Sequence, residues 1–188
     1  VVVFTSGSGG QPKGVVLRAR ALLAAAQASA ANLGWQEEDR WLLTMPLAHV
    51  GGLSIVTRCL AARRTVVLSQ TQGFRPEAFV EEVERQRVTL VSLVPTMLFR
   101  LLRDLPAWRP SAPLRAILLG GAPASPQLLE AAADRGLPVL TTYGLTEACS
   151  QVTTQRPGTV NRGSLGAGPP LPGVELRLVE EEIQIRGP

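Results

Sequence analysis

Hydrophobic and polar positions follow two periods along the chain, and these assign most of it to elements. Val1 to Thr5 is a short β-branched run, read as a strand entered midway, that is halted by Ser6-Gly7-Ser8-Gly9-Gly10 and Pro12. From Arg18 to Leu33, the residues Leu22, Leu23, Ala26, Ala30 and Leu33 recur at helical spacing, and Gly34 stands at the C-cap. Trp41 to Met45 predicts a strand, Gly51 to Ala62 a helix and Thr65 to Leu68 another strand. Pro76 opens a helix with Phe79, Val80 and Val83 on one side and Glu81, Glu82, Glu84 and Arg85 largely on the other. Val88 to Val94 reads as a buried strand, Pro95 begins a helix, and Leu114 to Leu119 is again a strand. Ser125 as N-cap, Pro126 at the first helical position and Gly136 at the end frame a last helix before the strand Val139 to Thr142.

Buried strands alternating with amphipathic helices predict an α/β fold, a mostly parallel sheet flanked by helices, over residues 1–155. Residues 156–188 change character. Gly and Pro crowd Arg156 to Gly173, and then Val174 to Val179 and Glu182 to Arg186 alternate around Glu180-Glu181-Glu182. A β-hairpin opening a β-rich, barrel-like subdomain is expected there.

Composition narrows the function classes. The 188 residues suffice for one domain with a sizeable core, and 45% hydrophobic with 18% charged residues excludes intrinsic disorder. No apolar run reaches the roughly 18 residues of a membrane helix. A net charge of +4 with a pI near 10.0 raises nucleic acid as a partner. The arginines are scattered, only Arg63-Arg64 being adjacent, and 4% aromatics leave little to stack on bases, so no nucleic-acid partner is expected. Cys59 and Cys149 with one histidine assemble neither a disulfide framework nor a Cys/His zinc site, which fits a reducing, cytoplasmic setting. The N-terminus has no methionine and no basic region, so the chain is expected to be a fragment of a longer one. Lys13 is the only lysine, His49 the only histidine and Tyr143 the only tyrosine.

The stretch from Thr5 to Gly14 combines hydroxyls, glycines able to turn their N–H groups inward, and one cation, the parts that bind a polyphosphate. Alone, it is equally a glycine-rich surface turn. It departs from the P-loop, because Pro12 precedes Lys13 and Gly14 takes the place of the Mg²⁺-binding hydroxyl, and from the dinucleotide fingerprint, because Pro12 replaces the third glycine. There is no G-x-S-x-G elbow.

Thr5 to Gly14 resembles the T-S-G-[TS]-T-G-x-P-K-G signature of the acyl-adenylate-forming superfamily, with Gly9 where a hydroxyl residue is usual. Pro46 to Leu53 is similar to that family's P-[LF]-x-H-x-x-G-[LM] segment, Leu119-Gly120-Gly121-Ala122-Pro123 to its adenine-side turn, and Thr142-Tyr143-Gly144-Leu145-Thr146-Glu147 to its Y-G-x-T-E motif. Glu182 to Pro188 resembles the later G-E-[IL]-x-[IV]-R-G-P strand, with Glu181 in the glycine's place. The resemblance implies ATP or AMP as nucleotide, Mg²⁺ as metal, a small carboxylic acid as substrate and coenzyme A as co-substrate. It implies that Thr5, Ser6, Gly7, Ser8, Gly9, Gly10 and Lys13 hold phosphates, and that Gly121, Ala122, Pro123, Thr142, Tyr143 and Gly144 frame the adenine. His49, Thr146 and Glu147 take the catalytic positions, with Glu147 also the metal ligand. It further implies that a ribose-binding aspartate, a hinge and a catalytic lysine lie beyond Pro188, so that this chain alone adenylates little.

A helix beginning near Gly51 puts Gly51, Ser54, Ile55 and Arg58 on one face, with Leu53, Val56 and Leu60 on the other, core-like face. Arg58 is then either a recognition group for a substrate carboxylate or a helix-end arginine facing solvent. The wording of His49 to Arg58, Val91 to Leu98 and Gly144 to Val152 is similar to the 2-succinylbenzoate-CoA ligases of menaquinone biosynthesis. That resemblance assigns Arg58 to the succinyl carboxylate and His49, Leu53, Ser54 and Gly120 to the acyl pocket. A general fatty or aryl acid CoA ligase is the alternative within the class, and a non-catalytic nucleotide-binding or interaction module the alternative outside it. A homo-oligomer is compatible with either.

Overall fold

The structure is a computed structural model that describes residues 1–5, 11–71, 73–110, 113–158 and 166–187. In chain order it comprises β1 (Val2–Thr5), β2 (Lys13–Val16), α1 (Ala19–Leu33), β3 (Arg40–Leu43), α2 (Val50–Ala62), β4 (Thr65–Leu68), α3 (Pro76–Arg85) and β5 (Leu90–Leu93). Then follow α4 (Pro95–Asp104), β6 (Ala116–Leu119), α5 (Pro126–Ala133), β7 (Val139–Leu145), one 3₁₀ turn (Thr146–Ala148), β8 (Ser150–Thr154), β9 (Glu175–Val179) and β10 (Glu182–Arg186).

Six strands form the main sheet in the order β4-β3-β5-β6-β7-β8, parallel throughout except for β8. The chain moves outward from β3 to β4 and then returns to the other side of β3 as β5. The strand order therefore reverses between β3 and β5, which leaves a crevice at their carboxyl ends, the place where open α/β sheets bind ligands. Alternate strand residues face opposite layers. Leu42, Val91, Ile117 and Leu119 pack with Val83, Leu98, Leu101 and Ala132 of α3, α4 and α5. Trp41, Leu90, Ala116 and Leu118 pack with Leu33 of α1 and with Ile55 and Cys59 of α2. Both faces of the sheet are covered, which explains why its strands read as continuous apolar runs.

At the amino ends of the strands, Asp39 is buried and held on all sides. Its carboxylate accepts from Arg115 Nε at 2.8 Å, from Arg115 Nη2, from Thr89 Oγ1 at 2.8 Å and from the Gln36 amide at 2.8 Å. Arg115 also donates to the carbonyls of Leu33 and Gly34, so one ion pair joins α1, β3, β5 and β6.

The expected elements are present, with instructive differences. β1 does not join the parallel sheet. It pairs antiparallel with β2, with Thr5 opposite Lys13, so the two strands bracket the glycine-rich loop, whose residues Ser6 to Gly10 lie outside the described residues. The last strand runs three residues past Thr142 to Leu145 and is answered by β8, which the sequence reading did not anticipate because its Ser-Gln-Val-Thr-Thr has no clear alternation. Glu82 belongs to the buried side of α3, where its carboxylate accepts from Ser69 Oγ at 3.1 Å and the Gln70 amide at 2.8 Å. On α2 the face carrying Ser54, Ile55 and Arg58 is the buried one, and Leu60, expected in the core, is 71% exposed. The reason is that α2 lies on the sheet through its smaller residues, with Ile55 and Cys59 against Trp41. The hairpin β9–β10 forms as expected, as its own two-stranded sheet.

Candidate active site

Over the crevice at the carboxyl ends of the strands lies a cavity of about 610 Å³. Thr5 of β1, His49 and Ser54 around the start of α2, Gly120 and Gly121 after β6, and Thr142, Gly144 and Thr146 at the end of β7 all line it, with Arg58 at its buried side. With Ser92 to Met97, which also contribute, five separate stretches of sequence meet at one place. Lys13, Leu53, Ala122, Pro123, Tyr143 and Glu147 do not line this cavity. Lys13 is exposed on β2 opposite Thr5, and Ala122 and Pro123 continue from Gly121 as an exposed turn. Tyr143 points outward from β7, 36% exposed, beside Gly144. Leu53 packs instead with Val3, Leu17, Leu22 and Cys149, because α2 turns that side toward α1. Glu147 is exposed and borders a second, smaller cavity of about 370 Å³ shared by α1 and the hairpin β9–β10.

Glycines fix the local geometry. A Cβ on Gly52 would stand 2.3 Å from the Pro46 carbonyl oxygen, so only glycine lets the chain at Met45-Pro46 cross the first turn of α2. This crossing sets His49, whose carbonyl accepts from the Leu53 amide at 3.0 Å as the helix begins. A Cβ on Gly144 would overlap the Ser150 carbonyl, where β7 and β8 slip register. Gly121, at φ +83°, turns the chain from β6 along the cavity wall.

Arg58 is the unusual group. It is 3% exposed; Nη2 donates to Ser150 Oγ at 3.2 Å, the guanidinium carbon lies 5.4 Å from the centre of the Trp41 ring, and Nε is buried with no partner among the described residues. Trp41 is itself fixed by donating Nε1–H to Ser92 Oγ at 3.2 Å. No carboxylate among the described residues pairs with Arg58. Burial lowers its pKa to about 10, with neighbouring Cys59 acting weakly in the opposite sense. The same burial pushes the Cys59 thiol up to about 12, which makes it an inert core residue. A buried, unpaired guanidinium is costly, and an anion arriving in the cavity relieves that cost.

Thr142 presents its backbone rather than its hydroxyl. Its Oγ1 donates to the Thr153 carbonyl at 2.7 Å and accepts from Gln151 Nε2 at 3.2 Å, while Gln151 Oε1 accepts from Ser29 of α1 at 2.9 Å. Ser92, Ser150 and Gln151 were not singled out from sequence. A polar Ser92 inside an otherwise buried strand is one signal, and Ser150 and Gln151 lie within a stretch quoted for its resemblance, but their contacts depend on β8.

The chain is 41% identical over 177 residues to the 2-succinylbenzoate–CoA ligase of Bacillus pumilus, an overlap of 94% of this chain and 36% of that protein. With the 2-succinylbenzoate–CoA ligase of Enterococcus faecalis it shares 36% identity over 200 residues, covering 100% of this chain and 40% of the relative. The solved o-succinylbenzoate CoA synthetase of Bacillus subtilis, in complex with the acyl-adenylate intermediate OSB-AMP, superposes with a TM-score of 0.90 at 38% identity, over 99% of this chain and 40% of that one. The chain thus spans about two fifths of the length of these relatives. The model of the AMP-binding enzyme family matches residues 1–187, essentially the whole chain, and the chain belongs to that family.

Proposed function

We propose that the full-length protein is an ATP-dependent acid–thiol ligase whose substrate is 2-succinylbenzoate, and that this chain supplies most of its nucleotide and acyl site. Residues 1–155 serve as the nucleotide- and acyl-binding unit and residues 156–188 open the β-rich subdomain. The substrate carboxylate attacks the α-phosphorus of ATP, the bond to the β-phosphate breaks, and pyrophosphate leaves. The thiol of coenzyme A then attacks the acyl carbon, and AMP leaves. Such a reaction is catalysed mainly by alignment and charge neutralisation, which suits a site of loop amides and hydroxyls.

Thr5, Ser6, Gly7, Ser8, Gly9, Gly10 and Lys13 hold the β- and γ-phosphates. Gly121, Ala122, Pro123, Tyr143, Gly144 and the backbone of Thr142 frame the adenine, and Thr146 faces the reacting α-phosphate and carboxylate. His49, Ser54 and Gly120 border the acyl group. Glu147, an exposed carboxylate next to Thr146 that borders the adjoining smaller cavity, would hold Mg²⁺, since magnesium held with nucleotide phosphates needs only one or two protein carboxylates. When bound there it offsets phosphate charge.

The observation that carries the substrate is Arg58. A buried cation without a carboxylate partner among the described residues, facing a cavity shared with Thr146, calls for a ligand bearing a second negative charge besides the carboxylate that reacts. Relatives named as 2-succinylbenzoate–CoA ligases support the same choice. The test is pyrophosphate release by the full-length protein with ATP, Mg²⁺ and a panel of acids. Release is expected to be greatest with 2-succinylbenzoate. Greater release with a plain fatty or aryl acid would favour a general acid CoA ligase, and no release with any acid would refute the ligase reading.

A further inference from the structure

The chain contains two methionines, Met45 and Met97, and both stand at the same place. With Pro46 between them, they line the 610 Å³ cavity on one side and a further cavity of about 520 Å³ on the other. They reach this wall from opposite layers of the fold. Met45, just beyond β3, packs with the core cluster of Trp41 and Ile55, whereas Met97, in the first turn of α4, packs with that of α3, α4 and α5. Gly51 gives Met45 its resting place, since a Cβ there would meet the Met45 methyl carbon at 2.9 Å.

Beyond this wall, the 520 Å³ cavity lies over the ends of β3 and β4 and is largely apolar, with Leu68, Phe74 and Phe79 on its far side. Its carboxylate, Glu82, is already held by Ser69 and Gln70, and Arg75 is exposed. An apolar chain entering from the first cavity would meet no unpaired buried charge. What separates the two spaces is a proline and two unbranched thioether side chains, the residue type that shifts rotamer most readily in a packed wall.

We propose that Met45 and Met97 set the length limit of the acyl group, closing the site to acids with a long apolar tail, and that the 520 Å³ cavity takes that tail when the partition is removed. The inference rests on the ligase reading above and extends it to specificity. Pocket contacts discriminate by tens of fold for each methylene admitted or refused, so opening a cavity of this size should be plainly visible in rate.

The test uses the full-length protein and pyrophosphate release with 2-succinylbenzoate and with a series of 4-alkylbenzoates from methyl to octyl. For each protein the readout is the ratio of kcat/KM for the octyl acid to that for the methyl acid. Met45→Ala and Met97→Ala, each checked for native circular dichroism, should raise this ratio at least roughly tenfold over wild type. Adding Leu68→Trp, which fills the far side of the second cavity, should remove most of the gain. An unchanged ratio in both folded variants, or a gain that survives Leu68→Trp, overturns the proposal while leaving the ligase reading intact. No release by the wild-type protein with any acid refutes the ligase reading, and this inference falls with it.

Discussion

Arg58 shows how much of the site's chemistry sits in single residues and how little of that is visible one residue at a time. An arginine on a helix has two ordinary readings, and 3% exposure removes the solvent-facing one. Its guanidinium is held by Ser150 and the Trp41 ring, neither of which neutralises it. Arg58→Ala in the full-length protein should raise KM for 2-succinylbenzoate by about ten- to a hundredfold, the loss of one charge-assisted hydrogen bond of about 1.5–3 kcal/mol. KM for benzoate, which lacks the second carboxylate, should move far less. Steady-state kinetics on both acids provides the check, and equal losses would exclude the role. His49 and Thr146, named from long and ordered motifs, both line the cavity. Leu53 was misassigned because its neighbours in sequence line the cavity while its own side of α2 turns toward α1.

Among the elements, α2 and the hairpin β9–β10 make specific demands on the backbone. Gly52→Ala should cost about 3 kcal/mol, since its Cβ would meet the Pro46 and Met45 carbonyls, which cannot yield without moving the chain. Gly51→Ala meets only the end of the Met45 side chain and should cost under about 1 kcal/mol. Urea denaturation of the two variants distinguishes them, and equal losses would remove the special role of Gly52. In the hairpin, Glu180 and Glu181 occupy a two-residue turn with φ of +48° and +66°, conformations that favour Asn-Gly. The double change Glu180→Asn with Glu181→Gly should stabilise the hairpin by about 1 kcal/mol, relieving left-handed strain and adjacent like charges. Amide exchange in β9 and β10 should slow about fivefold; faster exchange would contradict the strain argument. Sequence predicted the hairpin from alternation, but the slip between β7 and β8 left no such pattern.

Across the whole molecule the two ends of the parallel strands have separate tasks: the carboxyl ends form the cavity, and the amino ends are tied by Asp39 and Arg115. Burial pushes the Asp39 pKa up, but hydrogen bonds from Arg115, the Gln36 amide and Thr89, together with the guanidinium charge, outweigh it and hold the carboxyl below its ordinary value. A depressed folded-state pKa means that the stabilisation is complete above the unfolded value of about 3.9 and is lost as pH falls through the folded one. Asp39→Asn should therefore cost about 3 kcal/mol at pH 7 and should flatten the loss of stability below about pH 4. Denaturation curves at several pH values measure both effects, and an acid limb as steep as that of wild type would assign the loss elsewhere. By itself the sequence determined the layers and the order of the motifs, because burial on both sheet faces writes apolar runs and a motif is a fixed order of residue types along the chain. Only the tertiary structure decided which side of α2 is buried, that Arg58 has no counter-charge among the described residues, and that the two methionines line one wall. Each of these depends on where a helix rests against the sheet and on residues distant in the chain, such as Arg58 and Ser150 at a sequence separation of 92, and no local period encodes that.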